Sequence, residues 1–213
     1  MRAADRPDAP GTAGVAGAAS AGLSARIGLR LRELRASRGL SLSELARRSG
    51  VGKATLSGLE SGTRNPTLET LYALTTALGL PLSAVLQDSG RAAGPEVSGR
   101  AAGPEVSGRT AGPEVSGRVL DAVLLERFED AAAVSETYRV RIRPGGVQRS
   151  AAHPPGTVEH LVVLSGTALV GAESSPVPVA AGGHHTWAAD VPHRYEAVGA
   201  GVEAVLVIRH PHG

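Results

Sequence analysis

The only lysine among the 213 residues, Lys53, opens a short segment whose side chains suit contact with DNA bases. On a helix, Lys53 and Ser57 lie one turn apart and flank a face formed by the small residues Ala54 and Gly58. An ammonium group can donate to guanine O6 and N7, a methyl group can touch a thymine methyl, and a hydroxyl can meet a base or a phosphate. These residue types therefore indicate a helix that enters the major groove of double-stranded DNA.

Two short helices joined at Gly50 are predicted to position these groups. Ser41 and Glu44 form a capping-box pattern, which begins the first helix. Gly50 supplies the positive backbone angle that a sharp turn needs. In the second helix Leu56 and Leu59 face the core, so the face that carries the lysine remains outside.

Further helices complete a small bundle around this pair. A helix that ends near Gly39 is predicted before it, and a helix from Thr67 to Gly79 after it. Residues 81–86 predict a fifth, short helix. Five helices in about 65 residues fit an all-α domain of minimal size.

Residues 23–87 resemble the lambda-repressor-like, or Xre, helix-turn-helix family, through IGLRLRELRASRGLSLSELARRSGV and GKATLSGLESGTRNPTLETLYALTTALGLPL. The resemblance implies that residues 52–61 form the recognition helix, and that Arg35 pairs with Glu60 to brace it. The predicted DNA-binding residues are Arg47, Arg48, Gly52, Lys53, Ala54, Thr55, Ser57, Gly58 and Arg64.

Charge is unevenly distributed along the chain. Residues 23–88 hold nine basic and five acidic side chains, whereas residues 118–213 hold eight and ten. Positive potential concentrated on one part is expected of a domain that contacts phosphates. The abundance of arginine over lysine also fits a coding bias toward GC-rich codons, and a solvated scaffold or protein-interaction module is the alternative interpretation of the bundle.

Composition excludes several classes of protein. The chain has no cysteine, which excludes disulfides and thiolate zinc sites and suits a reducing cytosol. No apolar run approaches 18 residues, so we expect a cytoplasmic protein without a membrane span. Residues 1–22 are rich in Ala, Gly and Pro and predict a disordered tail rather than a signal peptide.

A nine-residue repeat occupies the middle of the chain. RAAGPEVSG stands at residues 91–99 and 100–108, and RTAGPEVSG follows at 109–117. Such a unit cannot bury a core, so residues 89–118 are predicted to be a disordered linker between a DNA-binding domain at 23–88 and a second domain at 119–213. We therefore expect no rigid relay between the domains, with coupling weak or exerted through dimerisation.

After residue 119 the pattern changes to short alternating apolar runs separated by Gly and Pro, which predicts an antiparallel sandwich or barrel. Residues 146–166 and 181–193 resemble the two cupin motifs, so the resemblance implies an all-β cupin domain, a double-stranded β-helix or jelly roll. Metal-binding cupins supply three histidines and a glutamate from these motifs. This chain keeps His153, Glu159 and His193, but Pro155 stands where another histidine is expected.

Two readings of this incomplete set stay open. Two histidines and a carboxylate can hold iron or another divalent ion, or they can line a polar effector pocket that needs no cofactor. Trp187 and Tyr195 either shape that pocket or fill the core. His160 alternates with Glu159 and is expected to face away from the site. Four further histidines have no spacing that argues for ligation and are expected at the surface or in loops: His184, His185, His210 and His212.

An Xre-type head joined to a cupin resembles one-component transcription regulators. The resemblance implies a non-enzymatic homodimer on a palindromic operator, with a small-molecule effector in the cupin. There are two alternatives. One is a metal-dependent cupin enzyme (an oxygenase or isomerase) tethered to a DNA-binding head. The other is an antitoxin-like DNA binder with a protein partner.

Overall fold

The computed structural model describes residues 13–86 and 112–212, which form a helical domain and a β domain. Within residues 13–86 there are five helices, as predicted. None of them is long and apolar enough to cross a membrane. Their bounds are α1 Ala13–Ser37, α2 Leu42–Ser49, α3 Lys53–Glu60, α4 Leu68–Leu78 and α5 Ser83–Leu86.

The helix ends follow the local sequence. The Ser41 hydroxyl accepts the backbone N–H of Glu44 at the start of α2, and the Thr67 hydroxyl accepts that of Thr70 at the start of α4. Gly50 ends α2 and Gly79 ends α4, each with a positive φ. A capping box also predicts that the Glu44 carboxylate reaches back to a backbone N–H at the start of the helix. This part of the prediction is wrong, because the carboxylate accepts hydrogen bonds from Arg47 and Arg48 instead.

Helices α1 and α3 cross closely at Gly28. A β-carbon at this position would lie 2.1 Å from the carbonyl oxygen of Leu59, so only glycine fits. The core of the bundle is made of leucines from all five helices, among them Leu31, Leu45, Leu56 and Leu74, each without solvent exposure.

Within residues 112–212 ten strands form two antiparallel sheets. Their order is β1-β2-β3-β10-β5-β8 in the larger sheet and β4-β9-β6-β7 in the smaller. This is the predicted jelly roll. The strands are β1 Glu114–Ser116, β2 Leu120–Glu129, β3 Ala133–Ile142, β4 Val147–Ser150, β5 Val158–Ser165, β6 Thr167–Ala172, β7 Val177–Ala180, β8 His184–Ala188, β9 His193–Ala197 and β10 Val202–Pro211.

Two of the predicted boundaries differ from the structure. Residues 13–22, predicted as part of a disordered tail, belong to α1, and residues 1–12 lie outside the described part of the chain. The predicted linker runs to residue 118, yet Glu114–Ser116 forms β1, paired antiparallel with β2. The third repeat therefore contributes an edge strand to the β domain, while residues 87–111 with the first two repeats lie outside the described residues.

Among the described residues the two domains are in direct contact, which the linker prediction did not anticipate. The backbone N–H of Ser83 at the start of α5 donates to Glu136 Oε1 on β3, at 2.7 Å. Glu69 Oε1 on α4 accepts the backbone N–H of Arg118, also at 2.7 Å. Both hydrogen bonds place α4 and α5 against the β domain.

Candidate DNA-binding surface and cupin site

The outer face of α3 carries the groups predicted to read DNA. Lys53, Ala54 and Ser57 are exposed, and Thr55 is half-buried. Leu56 and Leu59 on the opposite face are buried in the bundle. The helix therefore presents an amine, a methyl and a hydroxyl to solvent on one side, as major-groove contact requires.

The structure explains why residue 58 is a glycine, which the sequence alone did not show. The aliphatic stem of Arg64 lies across it, and a β-carbon at Gly58 would stand 2.9 Å from Arg64 Cδ. The Gly58 carbonyl also accepts the backbone N–H of Thr63, at 2.9 Å, and that of Arg64, at 3.1 Å. The glycine thus lets the exposed Arg64 side chain lie beside the recognition helix, where it can approach a phosphate.

The arginines of α2 share one carboxylate. Arg47 Nη2 and Arg48 Nε both donate to Glu44 Oε1 at 2.7 Å. These hydrogen bonds lower the pKa of Glu44 to about 2. All three groups lie at the surface, so phosphates can replace the glutamate as the arginines' partner.

The brace implied by the family resemblance is formed. Arg35 Nε and Nη2 donate to Glu60 Oε1 and Oε2 at 2.7 and 2.8 Å. Its third nitrogen, Nη1, donates to the Leu40 carbonyl at 2.8 Å. Since both side chains are largely buried, this bidentate pair fixes the end of α3 against α1.

In the β domain, the Glu159 carboxylate is the centre of a buried polar cluster. Glu159 lies on β5 and has no solvent exposure. His153 Nε2 is 3.0 Å from Oε1, and the Tyr195 hydroxyl donates to Oε2. Burial raises the pKa of Glu159, but the close approach and charges of His153 and His193 outweigh burial and hold the pKa well below its usual range.

His193 is the member of the cluster with an unused nitrogen. Its Nδ1 donates to the Val191 carbonyl at 2.9 Å, which fixes the tautomer. Its Nε2 is buried, 3.5 Å from Glu159 Oε1, and has no hydrogen-bond partner. Burial lowers the pKa of His193, but the Glu159 carboxylate and the Val191 carbonyl outweigh it, so the pKa stands above its ordinary value.

These three side chains fit a divalent cation. Their ligand atoms all lie within 4.8 Å of one another. The fixed Nδ1–H of His193 leaves Nε2 free to ligate, an arrangement common at metal sites. Pro155, at the place of the missing histidine, is exposed and offers no ligand atom.

Aromatic rings surround the cluster. Trp187 and Tyr195 are both buried and stand 5.9 Å apart, ring centre to ring centre. Trp187 lies 6.4 Å from His193 and stacks on His185 at 5.6 Å. The two aromatic residues therefore fill the core beside the polar cluster.

His210 was expected at the surface, and this prediction is wrong. Its side chain is buried, and its ring meets that of His153 edge to face at 5.8 Å. Its Nε2 is 3.4 Å from Glu136 Oε2. By contrast, His184 and His212 are exposed, as expected, and His160 faces outward to bond Thr186.

Tyr72 of α4 is the residue that sequence reasoning missed. Its ring lies 5.8 Å from that of His153, although it belongs to the helical domain. The available signal was an aromatic residue outside the stripe that buries Leu68, Leu71 and Leu78. An aromatic side chain off a core stripe indicates a second contact surface.

Together, the helix-turn-helix and the jelly roll define a DNA-binding regulator that carries a second, all-β domain. The helix-turn-helix family description HTH_3 matches residues 31–85. The HTH-type transcriptional regulator SutR of Escherichia coli (strain K12) is 28% identical over 166 residues, 78% of this chain and 83% of that protein. The crystal structure of an HTH_3 family transcriptional regulator from Vibrio cholerae shares the fold, with a TM-score of 0.68 and 24% identity over 91% of this chain and 99% of that one.

A shorter relative is closer in sequence. The uncharacterized HTH-type transcriptional regulator y4dJ of Sinorhizobium fredii (strain NBRC 101917 / NGR234) is 46% identical over 54 residues, 25% of this chain and 70% of that protein. The chain belongs to the helix-turn-helix family of transcriptional regulators.

Proposed function

We propose that this regulator binds a palindromic operator as a homodimer and that its cupin domain senses a small molecule without catalysing a reaction. The observation that carries the proposal is the division of α3 into two faces. Leu56 and Leu59 are buried, whereas Lys53, Ala54 and Ser57 face solvent with the groups that read base edges. A helix that served only as a scaffold would not need this exposed set.

The roles of the polar groups follow from their positions. Lys53 begins the helix and can donate to guanine, while Thr55 and Ser57 offer hydroxyls to bases or phosphates. Arg64 lies beside the helix over Gly58 and suits a phosphate contact. Arg47 and Arg48 can exchange their hydrogen bonds to Glu44 for contacts with phosphates. Their contribution to DNA affinity is therefore independent of base sequence.

The dimer is inferred from the way helix-turn-helix proteins dock. Two copies related by a twofold axis read two half-sites about 10 base pairs, or about 34 Å, apart. With α3 as recognition helix, each chain supplies one reading head. A single head with one lysine and two hydroxyls offers few base contacts, and pairing two of them multiplies the specificity of the assembly.

Selection of bound genomic fragments tests the proposal. The purified chain is incubated with fragmented genomic DNA at moderate salt, and bound fragments are sequenced. We expect one enriched inverted repeat with half-sites about 10 base pairs apart. Recovery of fragments with no common sequence would contradict specific binding, and enrichment of a single unrepeated element would contradict the dimer.

A metal-dependent function is the second candidate, favoured by the partnerless Nε2 of His193. His153, Glu159 and His193 would hold the ion, which would supply Lewis-acid or redox chemistry as in enzymes with two histidines and one carboxylate. Metal analysis of purified protein separates this candidate from a metal-free sensor. One ion per chain that disappears in His193→Ala, but persists in the control His160→Ala, would establish the site; only turnover abolished by the same substitution would make the protein an enzyme.

A further inference from the structure

A residue of the helical domain forms part of the wall of the cupin site. Tyr72 lies on α4, and its ring faces that of His153 at 5.8 Å with the planes tilted by 58°. Burial and the charges of Glu159 and Glu136 raise the pKa of Tyr72 well above its usual value, so the phenol stands in the electrostatic field of the polar cluster. The cluster is therefore bounded by side chains from both domains.

Two hydrogen bonds hold α4 and α5 in this position. The N–H of Ser83 donates to Glu136, and the carboxylate of Glu69 accepts the N–H of Arg118. The approach is close, since a β-carbon at Gly117 would lie 2.7 Å from Glu69 Oε1. Glu136 has no solvent exposure, so the bond it accepts is shielded from competing water.

Glu136 also reaches the cluster from its other oxygen. Its Oε2 faces His210 Nε2 at 3.4 Å, and the His210 ring meets His153 edge to face. His153 is thus touched by Tyr72 directly, and by α5 through Glu136 and His210. Two separate routes connect the DNA-binding domain to one histidine of the candidate ligand set.

We propose that Tyr72 is a residue of the cupin ligand site, supplied by the DNA-binding domain, and that it couples occupancy of the site to the way this domain is held. A small polar ligand or a cation bound at His153 would contact Tyr72 or displace it. The inference rests on the proposed sensing function and names the residues through which it acts. Coupling between two sites is reciprocal, so DNA bound to α3 must change the affinity of the cupin site for its ligand by the same factor.

The chain provides a probe for each domain. Trp187 is its only tryptophan and is buried beside the polar cluster, so its fluorescence reports unfolding of the cupin domain. The far-ultraviolet circular dichroism of the helices reports unfolding of the DNA-binding domain. Thermal unfolding of the full chain, followed by both signals, needs neither an identified effector nor a metal.

The first experiment destabilises only the helical domain. Leu74→Ala shortens a fully buried side chain. It is expected to lower the midpoint of thermal unfolding of the helices, the helical midpoint, by roughly 10 °C or more. If the contact couples the domains, the Trp187 midpoint falls as well. Ile27→Val, a milder change in the same core, gives smaller shifts in the same direction if Leu74→Ala fails to fold. A Trp187 midpoint that stays in place while the helical midpoint falls would overturn the inference.

Matched variants assign the coupling to Tyr72. Tyr72→Phe keeps the ring beside His153 and should transmit the shift as the unaltered chain does. Tyr72→Ala removes the ring, and Glu136→Ala removes the acceptor for Ser83, so each should reduce the transmitted shift and the two together should abolish it. Transmission through Tyr72→Ala equal to that through Tyr72→Phe would show that the ring is not the coupling element.

Operator DNA supplies the reciprocal arm. The duplex recovered by genomic selection should raise the helical midpoint and, in the unaltered chain and in Tyr72→Phe, the Trp187 midpoint too. A rise in the helical midpoint alone contradicts the coupling while leaving DNA binding intact. If the duplex moves neither midpoint, the proposed DNA function fails, and the Leu74→Ala arm still decides whether the domains are coupled.

Discussion

The two domains use polar side chains in opposite ways. On α3 the side chains proposed to contact DNA, among them Lys53 and Ser57, are exposed to solvent. In the β domain the polar groups of the candidate site point inward, and the Glu159 carboxylate is already hydrogen-bonded to His153 and Tyr195. An exposed set can be read from one short stretch of sequence, whereas an inward set depends on how distant strands meet. For this reason the DNA-binding proposal names individual residues, whereas the sensing proposal names only a class of ligand.

Removal of the Arg35–Glu60 ion pair, which braces α3, should have the largest effect on stability. Arg35→Ala leaves the buried Glu60 carboxylate and the Leu40 carbonyl without their donor, and we expect a loss of about 3–5 kcal/mol in the free energy of unfolding of the helical domain. Urea unfolding followed by helical ellipticity measures it. Arg38→Ala, at an exposed turn, is the control and should change stability by less than about 0.5 kcal/mol. Equal effects would mean that the pair does not brace α3.

A substitution inside the β domain tests whether the buried polar cluster around Glu159 stabilises the fold. Glu159→Gln removes the charge that His153, His193 and Tyr195 face, and we expect about 1.5–3 kcal/mol less stability in chelator-treated protein, measured by urea unfolding with Trp187 fluorescence. Glu203→Gln, which alters an exposed pair with Arg141, serves as the control. An increase in stability would show that the buried charge of Glu159 does not stabilise the metal-free fold.

A substitution on the exposed face should alter binding rather than folding. Lys53→Ala is expected to weaken binding to the selected operator by about 1–3 kcal/mol and to relax preference at one position of each half-site. Thermal unfolding of the variant should match that of the unaltered chain, because Lys53 is exposed. Fluorescence anisotropy on operator and random duplexes measures the difference. Equal losses on both duplexes would reassign Lys53 to phosphate contact.

The smallest effect is expected where a surface pair competes with DNA. Glu44→Gln frees Arg47 and Arg48 and should raise affinity about twofold on operator and random duplexes alike.

The lowered pKa of Glu44, about 2, predicts how its contribution to stability depends on pH. A carboxyl with a depressed folded pKa stabilises the fold above its unfolded pKa of about 4.3, and this contribution disappears as the pH falls toward 2. A Glu44 carboxyl that titrates near 4.3 in a carbon-detected NMR titration would contradict the arginine pairing.

Local signals predicted the helical domain well. Caps at Ser41 and Thr67, and the glycine ends at Gly50 and Gly79, each depend on a few neighbouring residues. The alternating runs predicted an antiparallel sandwich or barrel as a class, and β8 and β9 show why not every strand could be predicted. These two short strands, His184–Ala188 and His193–Ala197, are held by pairing with β5 and β6, which no local pattern reveals.

The site was predicted less completely than the fold, for a related reason. His153, Glu159 and His193 were named from motif resemblance and do converge. His210 and Tyr72 were not, because His210 meets Glu136 across 74 positions of the chain and Tyr72 meets His153 across a domain boundary. Contacts of this range follow from the packing of whole elements, so a single sequence carries little signal for them.

The central claim is that two exposed α3 helices read a symmetric operator, and a stoichiometric binding titration tests it most directly. Fluorescence anisotropy is measured for the full chain on the selected duplex and on the same duplex with one half-site scrambled. We predict two chains per intact duplex and a loss of affinity of at least about 100-fold on the scrambled one, since each mismatched base pair costs about 1–3 kcal/mol. One chain per duplex, or equal affinity for the two duplexes, would contradict the account.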